Sequence, residues 1–315
     1  MKFLVTGGSG FIGSHLVDAI LQRGDEAVVL DDLSTGRREN LAHLAGKPGL
    51  RVLDASLLDA EALGEALAGV EVVLHQAAIP SVPRSVEDPL GTNDANIKGT
   101  LLLLEQARHR GVRRVVLASS SSVYGNAREA VKHEGLELRP LSPYAVQKAT
   151  LELYARAYSA MHGLDTVCLR YFNVFGERQN ARSQYAAAIP AFVSAVLVGR
   201  SPTVFGDGEQ TRDFTHVSNV VRANLLAADS GRQFRGDPIN IACGERISVN
   251  AVIGLIGELL GQKVEPTYLP ERVGDVRDSL ASIERARSEL GYEPQTGLRE
   301  GLGLVISSMA AAMGG

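Results

Sequence analysis

The sequence predicts an α/β protein built on a doubly wound parallel sheet, with a smaller substrate-binding lobe interleaved in its second half. Three observations carry that prediction. Continuous apolar runs of strand length recur through the first half of the chain. Helix-length segments separate them, which is the rhythm of a parallel sheet covered on both faces. A glycine-rich turn follows the first run and opens a helix, the arrangement that places ligands at the carboxyl edge of such a sheet.

The elements follow in order. Residues 2–6 read as the first strand, 7–13 as the turn and 14–22 as the helix that continues it. Strands follow at 27–31, 51–55, 70–78, 112–120 and 166–172. Two long helices are expected, one over 96–108 and one over 143–160. Ser142 is the N-cap of the second and Pro143 its first helical residue. Beyond about residue 173 the rhythm breaks, and 173–185, 200–216 and 262–280 read as ordered loops around a site. Residues 1–173 are assigned to the sheet domain, with 236–261 returning to it through a strand at 238–241. Residues 174–235 and 262–315 are assigned mainly to the lobe.

The bulk numbers exclude several classes. With 315 residues and 45% apolar content the chain fits one large α/β unit with a lobe. A net charge of -4 from 32 basic and 36 acidic residues makes no electrostatic case for nucleic acid. Cys168 and Cys243 are the only cysteines, read as free thiols, and no pair has metal-site spacing, so no metal is expected. The opening MKFLV meets turn chemistry at once and reads as a strand rather than a secretory signal. No stretch reaches the ~18 apolar residues of a membrane span. A cytoplasmic protein is expected.

The turn Gly7-Gly8-Ser9-Gly10-Phe11-Ile12-Gly13 has the spacing of a dinucleotide fingerprint. Gly7 permits the tight turn, Gly10 lets the backbone approach a pyrophosphate and Gly13 allows close helix–sheet packing. The helix N-terminus supplies amide donors to phosphate. Asp31 ends the second strand, where its carboxylate accepts from ribose hydroxyls and repels a 2′-phosphate, favouring NAD over NADP. Arg37 and Arg38 argue mildly the other way. Asp54 is expected to reach the adenine end, with a surface role as its alternative. Gln76, Ala77 and Ala78 end the fourth strand, and the small residues let a cofactor lie across the edge. Asn96 is expected either to anchor active-site backbone or to cap a helix.

Tyr144 and Lys148 are four residues apart and so share one helix face. A neighbouring ammonium favours the ionised phenol. Ser120, at the end of the fifth strand, is placed to hydrogen-bond an oxygen whose charge changes. These three are the candidate catalytic residues, with Tyr144 taking an alcohol proton as hydride leaves for the nicotinamide.

In these motifs the chain resembles the extended short-chain dehydrogenase/reductase superfamily over nearly its whole length. Within it the chain is similar to the UDP-hexose 4-epimerases. The matching segments are GGSGFIGSHL at 7–16, DDLSTGR at 31–37, HQAA at 75–78, SSSSVYG at 119–125 and SPYAVQK at 142–148. RYFNVFG at 170–176, DGEQTRDFTHV at 207–217 and RVGDVRDS at 272–279 match as well, and taken together with SPYAVQK they point more specifically to nucleotide-sugar enzymes. The resemblance implies permanently bound NAD, a transient 4-keto sugar that turns over in the pocket, and return of hydride to the opposite face. It implies UDP-glucose and UDP-galactose as substrates, and a homodimer formed through the 97–108 and 143–160 helices. UDP-glucuronate 4-epimerisation, or another nucleotide-sugar oxidoreductase reaction, is the alternative. Similar 4,6-dehydratases carry an acid just before VYG. This chain has Ser121 and Ser122 there, which favours simple epimerisation.

The resemblance also assigns residues. To the cofactor it adds Phe11, Ile12, Asp32, Ser34, Thr35, Gly36, Ala55, Pro80, Ser119, Tyr171, Asn173 and Val174. To the sugar it assigns Ser81, Val82, Arg84, Ser121 and Ser122. Around the nucleotide it implies Asn173, Ala187, Ala188, Val204, Phe205, Gly206, Arg212, Arg272 and Asp275. Arg212 and Arg272 are fork-shaped donors suited to a diphosphate, Asp275 is an acceptor for the ribose, and Phe205 is placed to stack near uracil. Pairing of Arg212 with Asp213, of Arg272 with Glu271, and a core position for Phe205 are the alternatives. Ser279 occupies the position that, in related epimerases, gates the space beside the C2 substituent. Its small size implies room for N-acetylated sugars, as in UDP-GlcNAc and UDP-GalNAc.

Overall fold

The computed structural model describes residues 1–180, 188–271 and 277–314. Seven strands make one parallel sheet: β1 (Lys2–Thr6), β2 (Glu26–Asp31), β3 (Leu50–Asp54), β4 (Val72–His75), β5 (Arg114–Ser120), β6 (Asp165–Tyr171) and β7 (Asp237–Ile241). Their order is β7-β6-β5-β4-β1-β2-β3. The order reverses between β1 and β4, which opens the crevice where such sheets take ligands. The strands are apolar because both faces are covered. Phe3, Val29, Val72 and Val116 face one layer, and Leu4, Val28, Val73 and Val115 the other.

On the first face lie α1 (Phe11–Gln22), through Leu16, Val17 and Ile20, and α5 (Val217–Asp229), through Val220, Ala223 and Ala227. On the second lie α2 (Gly99–His109) and α3 (Pro143–His162), through Leu103, Leu104, Leu151 and Ala155. The start of α3 is as expected: the Ser142 hydroxyl accepts from the Ala145 N–H at 3.2 Å, and Gly163 ends the helix at φ +69°. The helix expected from residue 96 is less regular. A short helix, Pro89–Asn93, runs into a π-helical turn, Asp94–Lys98, before α2 begins. That widened turn carries Asn96, which is buried.

A separate apolar cluster gathers α4 (Ala188–Leu197), α6 (Val249–Leu260) and α8 (Leu298–Gly314) around Phe175, Val204 and Phe214. A parallel pair, Thr203–Phe205 with Thr267–Leu269, borders it. The interleaving is finer than the sequence boundaries. Strand β7 joins the sheet, but α6 packs into the second cluster, whereas α5 and α7 (Glu284–Leu290) pack on the sheet. An apolar stripe says that a helix is buried; it does not say against which partner.

Cys168 is buried and Cys243 partly buried, both as free thiols. No helix among the described residues is long and apolar enough to cross a membrane. No described cluster could hold a metal ion.

Candidate active site

The carboxyl ends of β1, β2 and β4 open onto a cavity of about 390 Å³. The fingerprint forms its floor. Gly7 turns at φ +69°, and a Cβ there would lie 2.7 Å from the Ala77 backbone. A Cβ on Gly13 would stand 2.1 Å from the Gly7 carbonyl oxygen. Beside Gly10 only the Gly7 oxygen approaches, so its cavity side is open to a ligand's backbone-hugging phosphates. Asp31 is buried and fixed, accepting from the Ser9 N–H and the Leu33 N–H, both at 2.8 Å. Burial pushes its carboxyl up, and the two amides oppose that. The glycine cradle and the anchored acid fit a dinucleotide with free ribose hydroxyls.

Of the residues assigned to the cofactor, Gly7, Gly10, Phe11, Ile12, Gly13, Asp31, Asp32, Ser34, Thr35 and Ala55 line this cavity. Gln76, Ala77, Ala78, Pro80, Ser119, Tyr144, Lys148 and Tyr171 line it as well. Five do not. Gly36 packs behind Asp31, where a Cβ would meet the carboxylate at 2.8 Å. Asp54 is exposed and ion-paired with Arg38 outside the cavity, so its alternative surface role is the one observed. Asn173 and Val174 lie in a second cavity. Asn96 lies beneath: its Oδ1 accepts from the Ile79 N–H at 2.8 Å and its Nδ2 donates to Gln147 Oε1 at 2.7 Å. It holds the loop after β4 and does not face the cavity. The sequence reading missed Ser56, Leu57 and Leu58, which line the far end. Their only signal is their place just past β3.

At the near end Tyr144 and Lys148 line the cavity, and Ser120, which does not line it, is hydrogen-bonded to Tyr144. Burial pushes the Tyr144 phenol up to about 12, and a hydrogen bond from Ser120 pulls the other way. Ser120 also caps the turn Ser121–Tyr124, its Oγ accepting from the Ser122 N–H at 3.1 Å. The Lys148 Nζ lies 5.9 Å from the Tyr144 ring centre and donates to the Ala118 carbonyl at 2.7 Å. Burial brings Lys148 down to about 8. His75, buried nearby and bonded to Thr6 and Thr100, is held neutral with a pKa of about 3. The Tyr144 N–H donates to Ser85 Oγ at 3.1 Å, so the short helix Val82–Glu87 braces the start of α3. The Ser122 Oγ is buried with no partner, an orphaned polar atom one residue beyond Ser121.

The second cavity, about 320 Å³, lies where β6 runs out. Tyr171 lines the first cavity, and Asn173 the second. Asn173 sits in the left-handed region at φ +34°, with its Nδ2 donating to the Asp213 carbonyl at 3.0 Å. Val174, Ala188, Val204, Phe205 and Arg212 also line it, as does Gln210, which the sequence reading did not single out. Arg212 donates to the carbonyls of Thr211 and Arg277. It does not take Asp213, whose carboxylate accepts instead from the Cys243 and Gly244 N–H groups at 3.0 Å. Ser279 is half-buried, its N–H donating to the Thr211 carbonyl at 3.1 Å. Ser81 caps the Val82–Glu87 helix by accepting from the Arg84 N–H, and Val82 is exposed. Ser81, Val82, Arg84, Ser120, Ser121, Ser122, Gly206 and Ser279 line neither cavity. Ala187, Arg272 and Asp275 lie outside the described residues.

This is the architecture of a dinucleotide-binding α/β protein with a tyrosine–lysine pair at its cavity. The family model "NAD dependent epimerase/dehydratase family" matches residues 3–242, and the chain belongs to that family, with NAD as its cofactor. It is 39% identical over 308 residues to a UDP-glucose 4-epimerase of Mycolicibacterium smegmatis, covering 97% of each chain. Among solved structures it is similar to the UDP-N-acetylglucosamine 4-epimerase of Methanobrevibacter ruminantium in complex with UDP-N-acetylmuramic acid. That match has a TM-score of 0.95 at 39% identity and covers 99% of both chains. The UDP-glucose 4-epimerase of Thermus thermophilus in complex with NAD matches with a TM-score of 0.89 at 36% identity, covering 99% of this chain and 100% of that one.

Proposed function

We propose that this protein is a UDP-sugar 4-epimerase, acting on UDP-glucose and UDP-galactose and with room for their N-acetylated counterparts. The observation that carries the reading is the placement of Tyr144 and Lys148 at the near end of the fingerprint cavity, with Ser120 hydrogen-bonded to Tyr144 and a second cavity reached two residues past Tyr171. The relatives' activities support the same reaction class.

NAD, when bound, accepts hydride from the sugar's C4 and gives it back. The chain's own residues do the rest. Burial alone keeps the Tyr144 phenol protonated; with the positive charge of a bound nicotinamide added to the Lys148 ammonium it would ionise, take the O4 proton as the carbonyl forms and return it afterwards, so its oxygen serves as base and then acid. The Lys148 ammonium favours the phenolate and has N–H donors beyond the one given to Ala118. Ser120 donates to the oxygen that changes charge. The cavity residues from Gly7 to Gly13 hold the pyrophosphate, and Asp31 the adenosine ribose. Arg212, Asn173 and Phe205 hold the UDP in the second cavity, with Arg272 and Asp275 completing its site. Ser122 touches the sugar, consistent with its orphaned hydroxyl. With serines at 121 and 122, no carboxylic acid is available there to expel water after oxidation.

The helices α2 and α3 are proposed to pair with those of a second copy. Val146, Leu153 and Met161, exposed along α3, support that face. The small Ser279 supports acceptance of N-acetylated sugars.

The test is turnover by purified protein, without added NAD, of UDP-glucose, UDP-galactose, UDP-GlcNAc, UDP-GalNAc and UDP-glucuronate. The reading requires epimer formation with no net reduced cofactor. Oxidised sugar accumulating with stoichiometric reduced cofactor overturns it, and inactivity on UDP-GlcNAc overturns the N-acetyl part alone.

A further inference from the structure

Lys148 and Glu152 stand one turn apart on α3, the spacing at which a lysine and a carboxylate pair on a helix. They do not pair. Among the described residues Lys148 meets no carboxylate, and its Nζ bonds to the Ala118 carbonyl. Glu152 is taken from the other side. Arg170, on β6, forks onto both its oxygens, Nε to Oε1 at 2.9 Å and Nη2 to Oε2 at 2.7 Å. The Ser119 hydroxyl donates to Oε1 at 2.5 Å. All three side chains are buried. Arg170 is itself fixed, its Nη1 donating to the Tyr124 hydroxyl at 2.8 Å, and Tyr124 donating on to Asn240 Oδ1 at 2.7 Å.

We propose that Arg170 is a positioning residue that holds Glu152 away from Lys148, so that the lysine ammonium stays directed into the cofactor cavity. This rests on the reading of Tyr144 and Lys148 as the reacting pair. A buried carboxylate needs a counter-charge. Arg170 supplies it in the bidentate geometry that binds carboxylates most strongly. Without that fork, the nearest buried cation on the carboxylate's own helix is Lys148. Of the other groups facing Lys148, Cys168 also favours the ammonium wherever its thiol ionises. Tyr144 on α3 and Cys168 on β6 are both pushed up by burial, and His75 on β4 is held neutral. Glu152 is therefore the carboxylate that favours the lysine ammonium, and Arg170 neutralises it. The network also ties the mouth of the site to its base, since Ser119 precedes the candidate catalytic serine.

The test uses the full chain with its NAD. In R170M, Glu152 turns to Lys148: turnover falls by about tenfold or more, with KM changed much less, and the lysine titrates at least about half a pH unit higher. In E152Q, Arg170 faces Lys148 without its carboxylate, and the lysine titrates lower. Carbon-13 NMR of ε-labelled lysine reads both shifts without turnover. In E152L/R170M neither charge remains, and turnover returns to within about threefold of the parent, as expected when a buried pair is replaced by apolar residues of similar size. Thermal melts establish that each variant is folded. If R170M does not fold, the double variant and E152Q still decide the matter. Shifts absent or of the same sign in the two single variants, or a double variant as slow as R170M, overturn the proposal. If the parent fails to epimerise any UDP-sugar, the functional reading fails, and the lysine titration still judges Arg170.

Discussion

Asn96 grips both polar groups of the Ile79 backbone: its Oδ1 accepts the N–H at 2.8 Å and its Nδ2 donates to the carbonyl at 3.3 Å. Its Nδ2 also reaches Gln147 on α3, so one buried amide ties the loop after β4 to the helix of Tyr144. Asn96→Ala leaves these partners unsatisfied and costs about 2–4 kcal/mol. The expected outcome is a melting temperature lowered by several degrees and turnover reduced more than NAD binding, read by thermal denaturation and steady-state kinetics.

Tyr144→Phe removes the one phenol that carries the proton and leaves the cradle intact. Turnover is expected to fall by about 10²–10⁴-fold. NAD stays bound, as read from the cofactor released on denaturation. Retained turnover would exclude this proton path.

Gly13→Ala drives a Cβ to 2.1 Å from the Gly7 carbonyl oxygen. Backbone has to move at the floor of the cradle, and overpacking of this kind costs about 1–3 kcal/mol. Calorimetric titration with NAD is expected to show at least about tenfold weaker binding; unchanged affinity would mean the turn does not contact the cofactor.

Lys148 titrates at about 8 in the fold, below its ordinary 10.5. Above about 8 the ammonium that favours the phenolate is lost, so turnover is expected to fall on an alkaline limb starting there. Between those two pH values the unfolded chain still binds the proton that the fold has released, so this residue's contribution to stability rises with pH. In Lys148→Met the slope of stability against pH flattens over that window, measured by urea unfolding.

His75 shows the same sign in the acid range. Its pKa is about 3 in the fold against an ordinary 6.5. Below about 6.5 the unfolded chain takes a proton that the fold refuses, and stability is lost progressively as pH falls toward 3. His75→Gln is expected to be less stable at neutral pH, because Thr6 and Thr100 lose their partner, and to lose stability less steeply on acidification. An unchanged acid slope would count against the buried neutral ring.

Much of this was legible in the sequence because local pattern carries it. The fingerprint, the Ser142 cap and the Tyr144–Lys148 spacing are short-range features, and each sits where its spacing places it. Two kinds of information were not legible. Asp54 reads like Asp31, an acid ending a strand, but Arg38, at the start of the short 3-10 helix Arg38–Leu44, pairs with it at the surface. The Glu152–Arg170 pair joins helix to strand, and neither residue alone signals that the other neutralises it. Which layer a helix joins was hidden for the same reason: α5 and α6 are both amphipathic, and only their partners separate them.

The hydroxyl of Ser120 has a single hydrogen, and the Ser122 amide already occupies one of its lone pairs. That hydrogen goes to Tyr144, so the hydroxyl is held between the backbone on one side and the phenol on the other. In the proposed reaction, a ketone that turns over between the two halves of a cycle would meet the same pair of hydroxyls each time. Such an oxygen-facing group has no handedness of its own, and either configuration at carbon can be made without rebuilding the site.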